Sequence, residues 1–429
     1  MKRHLIALVG ALAVLLLLGS GVAQAQSVQG AEQLAATGQS ASSSASSTQT
    51  NPSNSNISVR IFSPGDSGSV SQSNNSAAVS GAVNKASTQQ AVTQSGAGAG
   101  EQAVGQIGLT GQKADSKATS EQVKPSNSNI SVRIHSSGDD GKVEQSNNSF
   151  AGSLAANKAE TDQKVDQKQD GCGCPTGKKD HGSGGAGVQA VGQKAVTLQD
   201  AKSEATSKQY SPSNENIGVR IHSPGKNGSV EQSNNSEALS FAGNHASTTQ
   251  DVKQSQAGCD CPGDRVQAVG QLAFTGQHAD SDATSIQKGA KNLNAPVRIH
   301  SYGDDGKVEQ SNNSAALSGA INAADTSQTV GQSQHGCGCP APRNGGYDSH
   351  GGYGGHNGAK VQAVGQWAET WQKADSDATS EQFWASNTNA PVREKSYGGG
   401  GSVDQSNNSF AASASLNLAR TFQWVRQDQ

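Results

Sequence analysis

In each of five repeated units, two long stretches alternate strictly between positions that barely change and positions that vary freely. Taking every second residue from Gln267 gives Gln, Val, Gln, Ala, Thr, Gln, Ala, Ser, Ala, Ser and Gln, ending at Gln287. The residues between them, such as Leu272, Phe274, His278, Asp280 and Asp282, follow no rule. A second series in the same unit takes Val308, Gln310, Asn312, Ser314, Ala316, Ser318, Ala320, Asn322, Ala324, Thr326, Gln328, Val330 and Gln332. Only an extended chain puts alternate side chains on one face, so these stretches are strands and helix is excluded. Globular strands run about 5–6 residues, so each series is expected to be two strands joined by a parity-keeping arc, near Gly319-Ala320-Ile321-Asn322 in the fourth unit. Strand, arc and strand would make one coil of an all-β, repetitive β-solenoid.

Apart from Gly108, the constant face carries only Ala, Val, Ser, Thr, Asn and Gln, whereas the varying face holds Lys158, Glu160, Asp162, Lys164, Glu237 and Asp251. The constant face therefore points inward. Its small side chains let two sheets approach closely, and stacked carboxamides can bond one another at the inter-strand spacing of about 4.8 Å. Three ladder columns are expected on this basis. They are Asn74, Asn147, Asn234, Asn312 and Asn407; Asn84, Asn157, Asn244, Asn322 and Asn417; and Gln90, Gln163, Gln250, Gln328 and Gln423. A conventional sandwich of polar strands fits less well, because its inner faces use large apolar residues.

Two phrases mark the units. VQAVGQ or a variant begins at Val28, Glu101, Val188, Val266 and Val361, and QSNNS begins at Gln72, Gln145, Gln232, Gln310 and Gln405. The offset between the phrases is 44 residues in every unit, while successive units are 73, 87, 78 and 95 residues apart. An insertion inside a coil would break its stacking, so the Gly-rich stretches of varying length are loops between ordered units. The units span 28–100, 101–187, 188–265, 266–360 and 361–429. Ahead of them, Lys2 and Arg3 precede an apolar run from Leu5 to Leu18, and Ala23-Gln24-Ala25 offers a signal-peptidase site. Residues 1–25 are thus expected to be a cleaved signal peptide and the mature chain to be secreted, extracellular or at the cell surface.

Between the two series lies a third element, NSNISVRIHSSGDDGKV from Asn127 to Val143 in the second unit. Val132 and Ile134 alternate with Arg133 before a Gly-Asp-Asp-Gly turn, which reads as a hairpin. The arginine recurs as Arg60, Arg133, Arg220, Arg298 and Arg393 and is the one charged residue kept in all five units. A structural role, capping exposed carbonyls or pairing with the turn aspartates, is favoured over a row that binds an anionic polymer. His135, His222 and His300 follow the same strand but are matched by Phe62 and Glu394 in the outer units, which argues against a required ligand.

Six cysteines fall in the loops as Cys172 and Cys174, Cys259 and Cys261, and Cys337 and Cys339. Export makes disulfides the default, with connectivity open. A metal site with His181, His335, His350 or His356 is the weaker alternative, because the spacing is Cys-x-Cys rather than Cys-x-x-Cys.

Composition narrows the function. Only 32% of the 429 residues are hydrophobic and 4% aromatic, against about 45–50% apolar in typical domains, so an ordinary oily core is excluded. The formal charge of −3, or −5 once Lys2 and Arg3 are gone, leaves no basic patch for nucleic acid. Contact with a membrane is expected only through the leader. No nucleophile elbow, phosphate-binding loop or HExxH motif occurs, so neither an enzyme nor a cofactor is expected.

The run Asn322-x-Ala324-x-Thr326-x-Gln328-x-Val330-x-Gln332 resembles the curlin repeat, a Ser followed by spaced Gln, Gly, Asn, Ala, Val and Gln. The resemblance covers most of the mature chain as a pattern. It implies an exported subunit of an amyloid-like extracellular fibre, whose repeats stack as a β-solenoid with the patterned residues inside. Self-assembly also follows from the strand edges at the two ends of such a stack. The expected role is therefore a curli-like fibre or matrix subunit for adhesion or biofilm, with itself as partner. The last unit holds all four tryptophans, and Trp367, Trp371, Phe410, Phe422 and Trp424 have outward parity, which fits equally a docking surface for another subunit, a secretion partner or an envelope component and a local cap packed on its own last coil. The competing reading is a monomeric surface-binding solenoid, an adhesin or ice binder, which would need a regular outward row. Outward residues vary between units, so no such row is expected.

Overall fold

The computed structural model describes residues 28–97, 100–170, 187–259, 265–337 and 359–428. The expected signal peptide lies outside them. Each unit folds as a long strand, a short strand and a second long strand. These are β1 (Val28–Thr50), β2 (Ser53–Ile61) and β3 (Val70–Ala97); β4 (Glu101–Val123), β5 (Ser126–Ile134) and β6 (Val143–Asp170); and β7 (Gly187–Tyr210), β8 (Ser213–Ile221) and β9 (Val230–Cys259). They continue as β10 (Arg265–Lys288), β11 (Lys291–Ile299) and β12 (Val308–Cys337), then β13 (Lys360–Phe383), β14 (Ser386–Asn389), β15 (Val392–Glu394) and β16 (Val403–Asp428). No helix occurs among the described residues.

Every strand pairs in parallel with its counterpart in the neighbouring unit, giving the sheets β1-β4-β7-β10-β13, β2-β5-β8-β11-β14 and β3-β6-β9-β12-β16, with β15 also on β11. The register has no slip, so Arg133 sits opposite Arg60 and Arg220, and Asn147 opposite Asn74 and Asn234. One unit is thus one rung, and five rungs stack into a flat β-solenoid. At about 3.3 Å per residue and about 4.8 Å per rung, the long strands span about 80–100 Å and the stack rises about 24 Å.

Within a rung the two long strands run antiparallel and face each other. The amide of Gln49 bonds the carbonyl of Asn75 at 2.7 Å, that of Gln39 the carbonyl of Lys85 at 2.8 Å, and that of Gln33 the carbonyl of Ala91 at 3.2 Å. Such short reach requires small partners. Two columns of alanine supply them, one through Ala118, Ala151, Ala205 and Ala238 and one through Ala114, Ala155, Ala201 and Ala242. Serine hydroxyls zip between the sheets as well, Ser120 to Ser149 at 2.9 Å and Ser207 to Ser236 at 2.9 Å.

Two expectations are corrected. First, there is no arc at Gly319-Ala320-Ile321-Asn322, because β12 runs straight from Val308 to Cys337. Ala320 stays in the alanine column with Ala279 and Ala242, and stacked in-register neighbours above and below oppose the twist that shortens strands in globular sheets. A coil is therefore a whole unit rather than half of one. Second, the VRI element is not a hairpin. β5 bonds β2 and β8 in the neighbouring rungs, and residues 135–142 form an arch that turns the chain from one facing sheet into the other. The bend before β5 keeps the chain on the β4 side, still facing β6, with Lys124 at φ 51° followed by Pro125, and Asn51 and Ser211 likewise left-handed.

Candidate functional site

The interior is a set of axial amide ladders. In the first column Asn74 donates to Asn147 (2.9 Å), Asn147 to Asn234 (2.9 Å), Asn234 to Asn312 (2.8 Å) and Asn312 to Asn407 (2.8 Å). The second, Asn84, Asn157, Asn244, Asn322 and Asn417, is bonded in the same sense at 2.9 Å per step. The glutamine column runs the other way. Gln423 donates to Gln328 (2.6 Å), Gln328 to Gln250 (2.7 Å), Gln250 to Gln163 (2.8 Å) and Gln163 to Gln90 (2.7 Å). Asn322 and Gln328 are both 0% exposed, so these polar groups stay inside only because each is bonded within the ladder. Further inward columns start from Gln29, Gln33, Gln39, Gln49, Gln72 and Gln94, and from Asn54 and Asn56. All of the glutamine columns donate toward the first rung and all four inward asparagine columns toward the last. Parity identified these positions in the sequence only where the long series were read; Asn54 and Asn56 fell in the VRI element, where alternation is too brief to follow.

The arginine that recurs in every unit closes the arch. Arg133, Arg220 and Arg298 are at most 1% exposed. Each sends Nη1 to a glycine carbonyl one rung back, Gly65 at 2.7 Å, Gly138 at 2.8 Å and Gly225 at 2.9 Å, and Nη2 to a carbonyl of its own arch. Asp140 pairs with both Arg133 (2.7 Å) and Arg220 (2.7 Å), and Asp305 with both Arg298 (3.0 Å) and Arg393 (2.5 Å). The row caps carbonyls and pairs with turn aspartates, and three of its five guanidiniums are sealed from solvent. Burial, outweighing the attraction of Asp140, lowers the Arg220 pKa, with Arg298 and Arg133 adding repulsion. Glycine is required beside it, since a Cβ on Gly138, Gly225 or Gly303 would stand 2.1–2.2 Å from the carbonyl oxygen one rung back. The lumen between this arch and β6, β9 and β12 is a cavity of about 40 Å³ lined by Asn129, Asn216, Asn294, Asp140 and Asp305, room for a few waters.

His135, His222 and His300 stand in one exposed column, with Phe62 stacked on His135 at 5.0 Å and the histidine rings 4.9 Å apart. The residue that continues the column in the fifth rung is Lys395, left-handed like the others, and not Glu394. Among the described residues no group of three or more His, Cys, Asp or Glu could hold a metal. Cys172, Cys174, Cys261 and Cys339 lie outside the described residues, as do His181, His350 and His356. The backbone register places Cys259 opposite Cys337.

The outer face also corrects an expectation. Ser73, Ser146, Ser233, Ser311 and Ser406 form a constant outward column, and beside it Asn75, Asn148, Asn235, Asn313 and Asn408 form a bonded outward ladder at 2.9–3.0 Å per step. A regular outward row therefore exists, within the QSNNS phrase itself. Elsewhere the surface carries cross-rung ion pairs, such as Lys142 bridging Glu144 and Glu231 at 2.5 and 2.7 Å. Asp282, facing Asp280 and Asp377, has its carboxyl raised, first by burial and then by those neighbours.

The two ends differ. Trp367, Trp371, Phe410, Phe422 and Trp424 in the last rung are 48–63% exposed. Their counterparts by register in the first rung are Leu34, Gly38, Ala77, Gln89 and Ala91, all but one small or aliphatic. Comparison with protein-family models, with curated proteins and with solved structures gives no match for the chain.

Proposed function

We propose that the chain is an exported, self-assembling structural subunit, curlin-like in plan, whose copies stack head to tail into an extracellular fibre or matrix. The observation that carries this reading is the complementarity of the end rungs. β1, β2 and β3 at one end and β13 to β16 at the other each have a neighbour on one side only, so both ends offer long unpaired edges. In a head-to-tail junction, inward asparagines of the last rung would donate to Oδ1 atoms of the first, and glutamines of the first to Oε1 atoms of the last. Head-to-head stacking would set asparagine donor against donor. The outer columns agree, because Lys373, Asp375 and Asp377 in the last rung would lie beside Ser40, Ser42 and Ser44, and Trp371 beside Gly38, whose outward side is open. Such heterologous contacts do not close and so generate filaments. The same junction gives the exposed aromatics a partner in the next copy.

The chain starting at Gln26 is expected to form filaments seen by electron microscopy, with a fibre-diffraction repeat of about 4.8 Å along the axis. Ala77→Pro tests the junction. Ala77 points outward from β3, and by the alternation of ladder bonds its N–H faces away from the second rung, so proline removes a donor only at the free edge. The variant is expected to keep the strand content of the monomer and to stop elongating. Persistent wild-type monomers would reject assembly and favour the surface-binding reading, for which the outward serine and asparagine columns would be the contact face.

A further inference from the structure

The short strands present an apolar outer face. With Asn127, Asn129 and Arg133 turned inward, Ile130, Val132 and Ile134 must point out, and the register repeats this in every rung. The outward columns are Ile57, Ile130, Ile217, Ala295 and Ala390; Val59, Val132, Val219, Val297 and Val392; and Ile61, Ile134, Ile221, Ile299 and Glu394. All but Glu394 are aliphatic, and where a rung has no neighbour the exposure is plain, 66% for Ile57, 57% for Val59 and 53% for Ile61. Ser55, Ser128, Glu215, Leu293 and Thr388 edge the strip on one side, and Phe62 with the histidine column on the other.

We infer that this strip pairs two filaments face to face, so that its occupant is the same strip on a second stack of this chain. The inference rests on the filament reading and adds the lateral partner to it. The chain's own loops cannot cover the strip. The longest segment between described strands, residues 338–358, is tethered at both ends where β12 stops and β13 starts. Out and back, its 21 residues reach about 35 Å, whereas the strip lies beyond the whole of β13, about 80 Å away. Area then decides when pairing occurs. Three columns about 6.7 Å apart over five rungs make about 480 Å² per chain. Two single chains would bury about 960 Å² in total, below the roughly 1,200 Å² of a stable interface, whereas two stacks of two chains would bury about 1,900 Å². Pairing therefore follows elongation. Flat aliphatic columns at rung spacing suit a dry, interdigitated contact.

The test is mass per unit length of wild-type filaments and of two triple variants. Wild type is expected to contain two chains per about 24 Å of axis. Val132→Lys, Val219→Lys and Val297→Lys together should halve this to one. Thr119→Lys, Thr206→Lys and Thr284→Lys, which place the same column of charges on the outward face of the first sheet, should leave it at two. One chain per 24 Å in wild type, an unchanged value in the valine variant, or loss of all filaments in that variant alone would overturn the pairing while leaving assembly intact. Wild-type chains that never elongate would overturn both.

Discussion

Replacing Asn234 with aspartate is expected to destabilise the chain by about 3–5 kcal/mol at pH 7, the cost of an uncompensated buried charge, and by far less in acid. Asn234 is 0% exposed. Its Nδ2 donates to Asn312 at 2.8 Å and Asn292 at 3.1 Å, while its oxygen accepts from Asn147 at 2.9 Å and Asn214 at 3.1 Å. A carboxylate keeps the acceptor side and sets its second oxygen against two amide oxygens. Burial raises the folded-state pKa of such a carboxyl above its unfolded value of about 3.9. The folded state then holds more protons than the unfolded one, so stability falls as pH rises. The penalty is absent below the unfolded pKa, grows above it and levels off beyond the folded pKa. Urea midpoints at pH 4 and pH 7 check this: the deficit should be about 1–1.7 M at pH 7, for a slope near 3 kcal/mol/M, and shrink at pH 4. An equal deficit at both would show that no buried carboxylate is involved.

Gly225→Ala is expected to be as damaging through shape alone. Gly225 has φ 138°, and an added Cβ would lie 2.1 Å from the Gly138 oxygen and 2.8 Å from Nη1 of Arg220. Relief requires either a shift between the second and third rungs or loss of the arginine's carbonyl bonds. Backbone strain of about 1–3 kcal/mol and overpacking of about 1–3 kcal/mol both apply. Gly192→Ala is the matched control, because its Cβ meets nothing within 4 Å. Thermal unfolding should separate the two clearly, and a Gly225 variant as stable as the Gly192 variant would mean that the arches do not stack as described.

The faces of the long strands were legible in the sequence because period two survives through every unit, as from Gln267 to Gln287. Solenoid stacking was legible too, in the constant offset between Val28 and Gln72 and its equivalents. Strand length was not. The usual length reflects twisted sheets of unlike strands, and Gly319 looks like a breaker until Ala320 is seen in an unbroken column. The arch is not legible in the sequence, because a Gly-Asp-Asp-Gly turn serves an arch and a hairpin equally, and the partners that distinguish them are whole units away. The VRI strand inverts the ordinary rule that buries Val and Ile. Its inward side belongs to Arg133, whose guanidinium bonds the Gly65 and Asp139 carbonyls of the arch, so the aliphatic side is left outside. The outward Ser73 and Asn75 columns stood in plain view in QSNNS, masked by the variability of outward positions elsewhere.

Each unit forms one rung, with all five in parallel register. Spin labels at Ser73 and Ser406, in a chain whose six cysteines are replaced by serine, test this most directly. The two serines are separated by more than three hundred residues of chain but by four steps of one outward column. Pulsed electron paramagnetic resonance on the monomer should give a narrow distance near 19 Å, four rungs at about 4.8 Å. A broad distribution centred beyond about 35 Å, outside the height of five stacked rungs, would contradict it.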